Sequence, residues 1–180
     1  MSSVLVPPNY GTLRQDDISI VLQPPGLRVS ALPLDEGIIR LLAPDSYRSL
    51  RSLLESRRQQ ITQRAQMRGV RDPRVWYVRY TGLEPDARFT PLDMTITSGG
   101  RDYRPFDIVP VTGGFGTQRL QPREQQTGLL LFDEGVDVNQ PLVVTVGSER
   151  NTDWDNTAGG ILPKLDLERA NVRARAAAHP

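Results

Sequence analysis

The residues predict a mainly β protein: an antiparallel β-sandwich with one long helix in its N-terminal half, an extended proline-rich N-terminal arm and a C-terminal helical tail. Three observations lead there. Short apolar runs with period-two alternation recur between turn signals from Val75 to Val146, the mark of strands in a sandwich. The stretch from Ser46 to Arg68 runs without Gly or Pro, long enough for a helix of several turns. The 15 Gly and 15 Pro otherwise cut the chain into pieces too short for a helical bundle.

Four segments follow from these signals: an arm over 1–44, a basic amphipathic helix over 45–70, a sandwich over 71–150 and a loop with a helical tail over 151–180. In the arm, Pro7, Pro8, Pro24, Pro25, Pro33 and Pro44 forbid long helices and leave two apolar pieces, Ile18 to Leu22 and Gly37 to Leu42. The first reads as an edge strand. The second reads as a strand or as an apolar lead into the helix. The rest of the arm is expected to lie extended over the sandwich or over another protein.

The helix starts at Pro44, Asp45 and Ser46 and stops at Gly69. Tyr47, Leu50, Leu54, Ile61 and Ala65 recur at spacings of three, four or seven and give it one apolar stripe. Arg48, Arg51, Arg57, Arg58, Arg64, Arg68 and Arg71 stand against the single acid Glu55 between Ser46 and Arg71. Such a face suits an acidic protein partner or an anionic membrane surface, and equally a solvated surface in a chain with 21 Arg and one Lys. Nucleic acid is disfavoured, because no aromatics interleave with the arginines as a base-stacking platform needs.

Val75 to Tyr80 alternates, with Trp76, Val78 and Tyr80 on one face. Phe89 to Thr97 alternates again, with Leu92, Met94 and Ile96 together. Tyr103 to Val111 is a strand bent at Pro105 and Pro110, and Gly113 to Gly116 around Phe115 is a flexible loop. After Leu120, Pro122 and the polar cluster Arg123 to Gln126, Gly128 leads into Leu129 to Phe132. That uninterrupted apolar run is the strongest buried-strand signal in the chain. Asp133 to Gly135 turns it towards Leu142 to Val146. Trp76 belongs to the core. Trp154, in the polar stretch Asn151 to Gly160, and Phe115 in its glycine loop are read as partner contacts. A helix beginning near Pro163 has little apolar face and needs something to pack on.

Catalytic chemistry finds few groups. With no cysteine there is no disulfide, thiolate metal site or cysteine nucleophile, and with His179 as the one histidine there is no His-based triad or multi-histidine site. The GGFG run lacks the Lys-Ser/Thr of a phosphate loop. Asp133, Glu134, Asp137, Asp153 and Asp155 lack EF-hand spacing and read as turn acids. No cofactor, no metal and no catalytic residue is expected. A net charge of +1 names no partner. No apolar run approaches the ~20 residues that span a bilayer. The N-terminal residues show neither a basic n-region nor a long apolar h-region, so no secretory signal is expected.

The block from Trp76 to Gly147 resembles the immunoglobulin-like bacterial domains of the DUF4352 or telokin-like group. The resemblance rests on the aromatic strand Val75 to Tyr80, the alternating strand ending at Gly100, the strand Tyr103 to Ile108, the series Leu120, Pro122, Glu124, Gly128 and Phe132, and the closing strand Leu142 to Val146. It implies an immunoglobulin-like sandwich, commonly extracytoplasmic, with no catalytic motif to carry over. The absent signal points instead to the cytoplasmic side.

The function expected is that of a non-catalytic interaction subunit, peripheral to a membrane, that tethers parts of a larger protein assembly. An extrinsic subunit clamping a bacterial photosynthetic reaction centre to its antenna ring exemplifies it. Its partner contacts are Arg48, Arg51, Arg57, Arg58, Arg64 and Arg68, with Trp154 and Phe115. The alternative is a free-standing extracytoplasmic sandwich binding a small ligand or carbohydrate through Phe115 and Trp154; a cryptic hydrolase is a third.

Overall fold

The computed structural model describes residues 5–116 and 119–179. The chain opens through a short helix, α1 (Gln15–Ile18), into strands β1 (Ile20–Leu22) and β2 (Leu27–Pro33). These pair antiparallel around a turn in which Leu27 N donates to Pro24 O at 3.1 Å and Gly26 takes φ +74°. Next come α2 (Glu36–Ile39), the long α3 (Pro44–Met67) and β3 (Arg74–Gly82). Strand β3 returns to lie beside β2 along its whole length, Leu27 opposite Gly82 and Pro33 opposite Trp76.

The proline-rich segment is therefore no arm. It supplies an edge strand and its neighbour, because its prolines sit where no ladder N–H is needed. Pro24 and Pro25 lie in the turn, and Pro33 ends β2 beyond the reach of β1. The alternation of Leu27, Val29 and Ala31, all buried, carries the strand. Gly37 to Leu42 is not a strand either. Asp35 Oδ1 accepts from Gly37 N at 2.9 Å and caps a single helical turn, which buries Ile38 and Ile39.

The remaining strands are β4 (Ala87–Arg88), β5 (Thr95–Ser98), β6 (Arg101–Tyr103), β7 (Asp107–Pro110), β8 (Arg119–Leu120), β9 (Gln125–Phe132), β10 (Leu142–Val146) and β11 (Glu149–Asn151). One antiparallel sheet has the order β1-β2-β3-β9-β7 and the other β11-β10-β5-β6, with β4 and β8 as a separate pair. Two antiparallel sheets sharing one buried core are consistent with a sandwich. Trp76, Val78 and Tyr80 of β3 join Met94, Ile96, Leu142 and Val144 in that core. Each such side chain contributes ~1.5–3 kcal/mol on burial.

The expected strand from Phe89 is shorter than its alternation suggested. Pro91–Asp93 forms a 3-10 turn that rotates Leu92 outward, to 46% exposure. Tyr103 to Val111 divides into β6 and β7, which lie in different sheets; Arg104, Pro105 and Phe106 make the crossing. Strand β9 is buried on both faces from Gln126 onward, as its uninterrupted apolar run requires.

Helix α3 lies against the sheet that holds β9, at β7, and lines one groove with Val75 of β3. The last helix, α4 (Ile161–Ala178), packs through Ile161, Leu162, Leu165 and Val172. It is tied to the N-terminal segment by Glu168, 4% exposed, whose Oε2 accepts from Thr12 N at 2.8 Å and Thr12 Oγ1 at 2.7 Å. Arg175 completes the clasp, donating to Glu168 Oε1 at 3.3 Å and Tyr10 O at 2.8 Å.

Candidate docking groove

Helix α3 begins with Pro44 at its first turn, where the missing N–H is no loss. At its other end Gly69 N donates to Gln66 O at 3.1 Å and Val70 N to Ala65 O at 2.9 Å. Together with Gly69 at φ +69° this is a Schellman ending. It folds the chain back so that Val70 and Pro73 form a wall opposite the helix. Between them lies a groove of about 670 Å³. Its floor is Leu54, Ile61, Ala65 and Val75, and its rim carries Arg51, Arg58, Arg71 and Asp72.

The arginines of α3 divide into two flanks. Arg57, Arg64 and Arg68 reach the edge strand β7 and the residue before it. Arg57 Nε donates to Pro110 O at 3.4 Å, Arg64 pairs with Asp107 at 3.0 Å, and Arg68 donates to Phe106 O at 3.3 Å. They cover an open sheet edge, a position that natural sheets guard with charge. On the other flank, Arg51 pairs with Glu36 at 3.1 Å and Glu55 at 3.3 Å, and Arg58 pairs with Glu55. Arg48 pairs with Asp45. Glu36 also accepts from Arg40 Nε at 2.6 Å, which holds the Arg40 guanidinium's pKa above its ordinary value. Tyr47 OH donates to the same Glu36 oxygen at 3.2 Å, so this carboxylate fixes α2 to α3.

The six arginines of α3 expected as partner contacts are thus each engaged, three of them with β7 or the residue before it. Only Arg51 and Arg58 reach the groove, where they meet Arg71, which has no ion pair among the described residues. Asp72 on the same rim is engaged by Arg74 at 2.8 Å. The groove is apolar below, and its rim is charged, with Arg71 as the arginine left for a partner.

Trp154 and Phe115 are core residues and present no surface to a partner; both have 0% exposure. The Trp154 indole packs 6.2 Å from the Trp76 ring and donates its Nε1–H to Val138 O at 2.9 Å, which satisfies the polar atom that burial would otherwise penalise. Phe115 is turned inward by the 3-10 turn Gly113–Gly116 and lies against Tyr80 and Phe89. Burial also pushes the Tyr80 hydroxyl's pKa far up, so that it stays neutral. The turn acids do turn chemistry: Asp133, Asp137 and Asp155 each accept from the amide two residues on. The sequence places Arg71 on the basic face but does not single out Val70 and Val75 beside it. The signal was present in Gly69 followed by valine at a helix end.

No family model, curated protein or solved structure matches the chain.

Proposed function

We propose that this protein is a non-catalytic interaction subunit. Its groove between α3 and the 69–75 turn receives a protein segment with an apolar side and acidic flanks, and so tethers that partner within a larger assembly. The observation that carries the reading is the pairing of an apolar floor with a basic rim, on which Arg71 has no ion pair among the described residues, in a groove of about 670 Å³. Apolar burial supplies affinity there, while guanidinium forks select carboxylates and set the register. The three contacts to β7 support the same role, because they set the groove's helical wall against the sheet. Any membrane association in this reading is peripheral, since no helix among the described residues is long and apolar enough to cross a bilayer.

The scaffold in this proposal is immunoglobulin-like. Setting β2, β3, β5, β6, β7, β9, β10 and β11 as A, B, C, C′, D, E, F and G turns the two sheet orders into A-B-E-D and G-F-C-C′. That order supports the immunoglobulin-like reading, with β1 outside A and the pair β4 and β8 additional to it. The helices α2 and α3 are then an insertion between A and B.

The test is site-specific photo-crosslinking in the native source from Thr62 and Gln66, both on the groove wall. Mass spectrometry then maps the crosslinked peptide. The expected result is one stoichiometric partner, crosslinked through an apolar, acid-flanked segment and lost in the R58E/R71E variant. A chain that migrates alone at 20.1 kDa, or crosslinks that survive charge reversal, overturns the reading.

A further inference from the structure

The outer face of the five-stranded sheet changes character along its length. Under α3 it is apolar, the row Leu32, Tyr77, Leu129 and Val109 running across four strands. Beyond the helix, the next positions on the same face are polar. Ser30 pairs with Arg79 and Arg28 pairs with Thr81, so two guanidiniums and two hydroxyls occupy the corners of one square on neighbouring strands. Gln125 of β9, opposite Thr81, extends the square. These five residues line one concavity of about 290 Å³, and Asp16 is the single acid on its wall. No hydrogen bond or ion pair engages either guanidinium among the described residues. Like charges on adjacent strands repel, so a bare arginine pair disfavours the sheet it sits on.

From this geometry we infer that the concavity is a binding site for a soluble phosphomonoester. Two arginine forks, two hydroxyls and an amide offer more donors than a carboxylate's two oxygens accept. A phosphomonoester brings three terminal oxygens and a charge of about −1.5 to −2 at neutral pH. The guanidinium forks match its planar pairs of oxygens. The volume suits a phosphate on a small organic group and falls below that of larger ligand pockets. A soluble source is favoured over a lipid headgroup because Ser30, Arg79 and Thr81 are half-buried in the wall of the concavity, where a flat headgroup layer does not reach. The site is remote from the docking groove and does not rest on its assignment.

The test is titration of the full chain with inorganic phosphate at constant ionic strength, followed by amide and arginine Nε–H NMR shifts. Saturable shifts at Arg28, Arg79, Thr81 and Gln125 are expected, with chloride giving none. Arg28→Gln and Arg79→Gln, verified as folded by urea melts, each weaken binding by about tenfold or more, the loss of a charged hydrogen-bonding group. Asp16→Asn strengthens it by removing the one repelling carboxylate. Shifts that track ionic strength alone, unchanged affinity in both glutamine variants, or flotation with phosphatidic-acid vesicles without any response to inorganic phosphate each overturn the inference.

Discussion

Replacing Gly128 by alanine tests the packing at the centre of the molecule. A Cβ there would stand 2.6 Å from Cζ, 2.7 Å from Cε1 and 2.8 Å from Cε2 of Phe115. The ring cannot swing clear, because it is fully buried with the Tyr80 centroid at 5.9 Å and the Phe89 centroid at 5.6 Å. Overpacking of this kind costs about 1–3 kcal/mol, and alanine returns roughly 0.5–1 kcal/mol of backbone entropy relative to glycine in a strand. A net loss of up to about 2.5 kcal/mol is expected for G128A. F115A loses about 3–5 kcal/mol by leaving a cavity. The decisive quantity is the double variant. With the ring removed, the methyl introduced by G128A enters free space, so that substitution stops destabilising. The coupling is then about 1–3 kcal/mol, above the ~0.5 kcal/mol scatter of independent sites. Urea melts with an unchanged m value give all four corners of the cycle. Additive losses would refute the contact, and with it the claim that the GGFG turn is a core element.

Two further predictions concern the ends of the fold. Burial holds the Asp35 carboxyl above its ordinary pKa, against the Gly37 N–H and the charge of Arg74. The folded state therefore keeps a proton that the unfolded chain releases, and native stability falls as pH rises through the interval above the ordinary carboxylate value. Asp35→Asn keeps a capping oxygen and removes the titration, so its melting temperature relative to the parent should rise between pH 4 and pH 7; a constant difference would count against the buried carboxyl. Glu168→Ala leaves Thr12 N–H, Thr12 Oγ1 and Arg175 without their shared acceptor and should cost about 1–3 kcal/mol. Limited proteolysis should then cut first between α4 and Trp154, and an unchanged digestion pattern would contradict the clasp.

The strands of the C-terminal half were legible because their patterns are local. Leu129 to Phe132 reads as buried with no knowledge of its neighbours, and Trp76, Val78 and Tyr80 declare one face. The helix was equally plain from its Gly- and Pro-free length. What failed was judgement of partners. Six prolines in the first 44 residues signalled an arm because proline density says nothing about whether the ladder needs an N–H at those positions. Trp154, set among Asp153, Asp155 and Asn156, looks exposed in any linear reading. Its burial depends on Trp76 and Val138, which the fold alone brings to it. The arginines of α3 looked free for the same reason: Asp107 and Glu36, which engage two of them, lie on other elements.

The position of α2 and α3 between β2 and β3 in the chain has a consequence for how the chain reaches this state. The longest ladder of the N-terminal half joins Leu27–Pro33 to Arg74–Gly82, and everything from Leu34 to Pro73 must be looped out before it closes. A flexible loop of that length pays a closure entropy that grows only logarithmically, but the pairing is non-local and so slow. Helix α3 changes the search. Its hydrogen bonds are local, relax in about a microsecond, and carry the chain through ~1.5 Å per residue along a rigid rod. The arginines that later bind β7 are then already in line when the sheet arrives. The wall of the groove is thus made from local contacts, whereas the sheet beside it waits on the closure of a loop, and a helix-breaking substitution in α3 should leave that closure as the slow step.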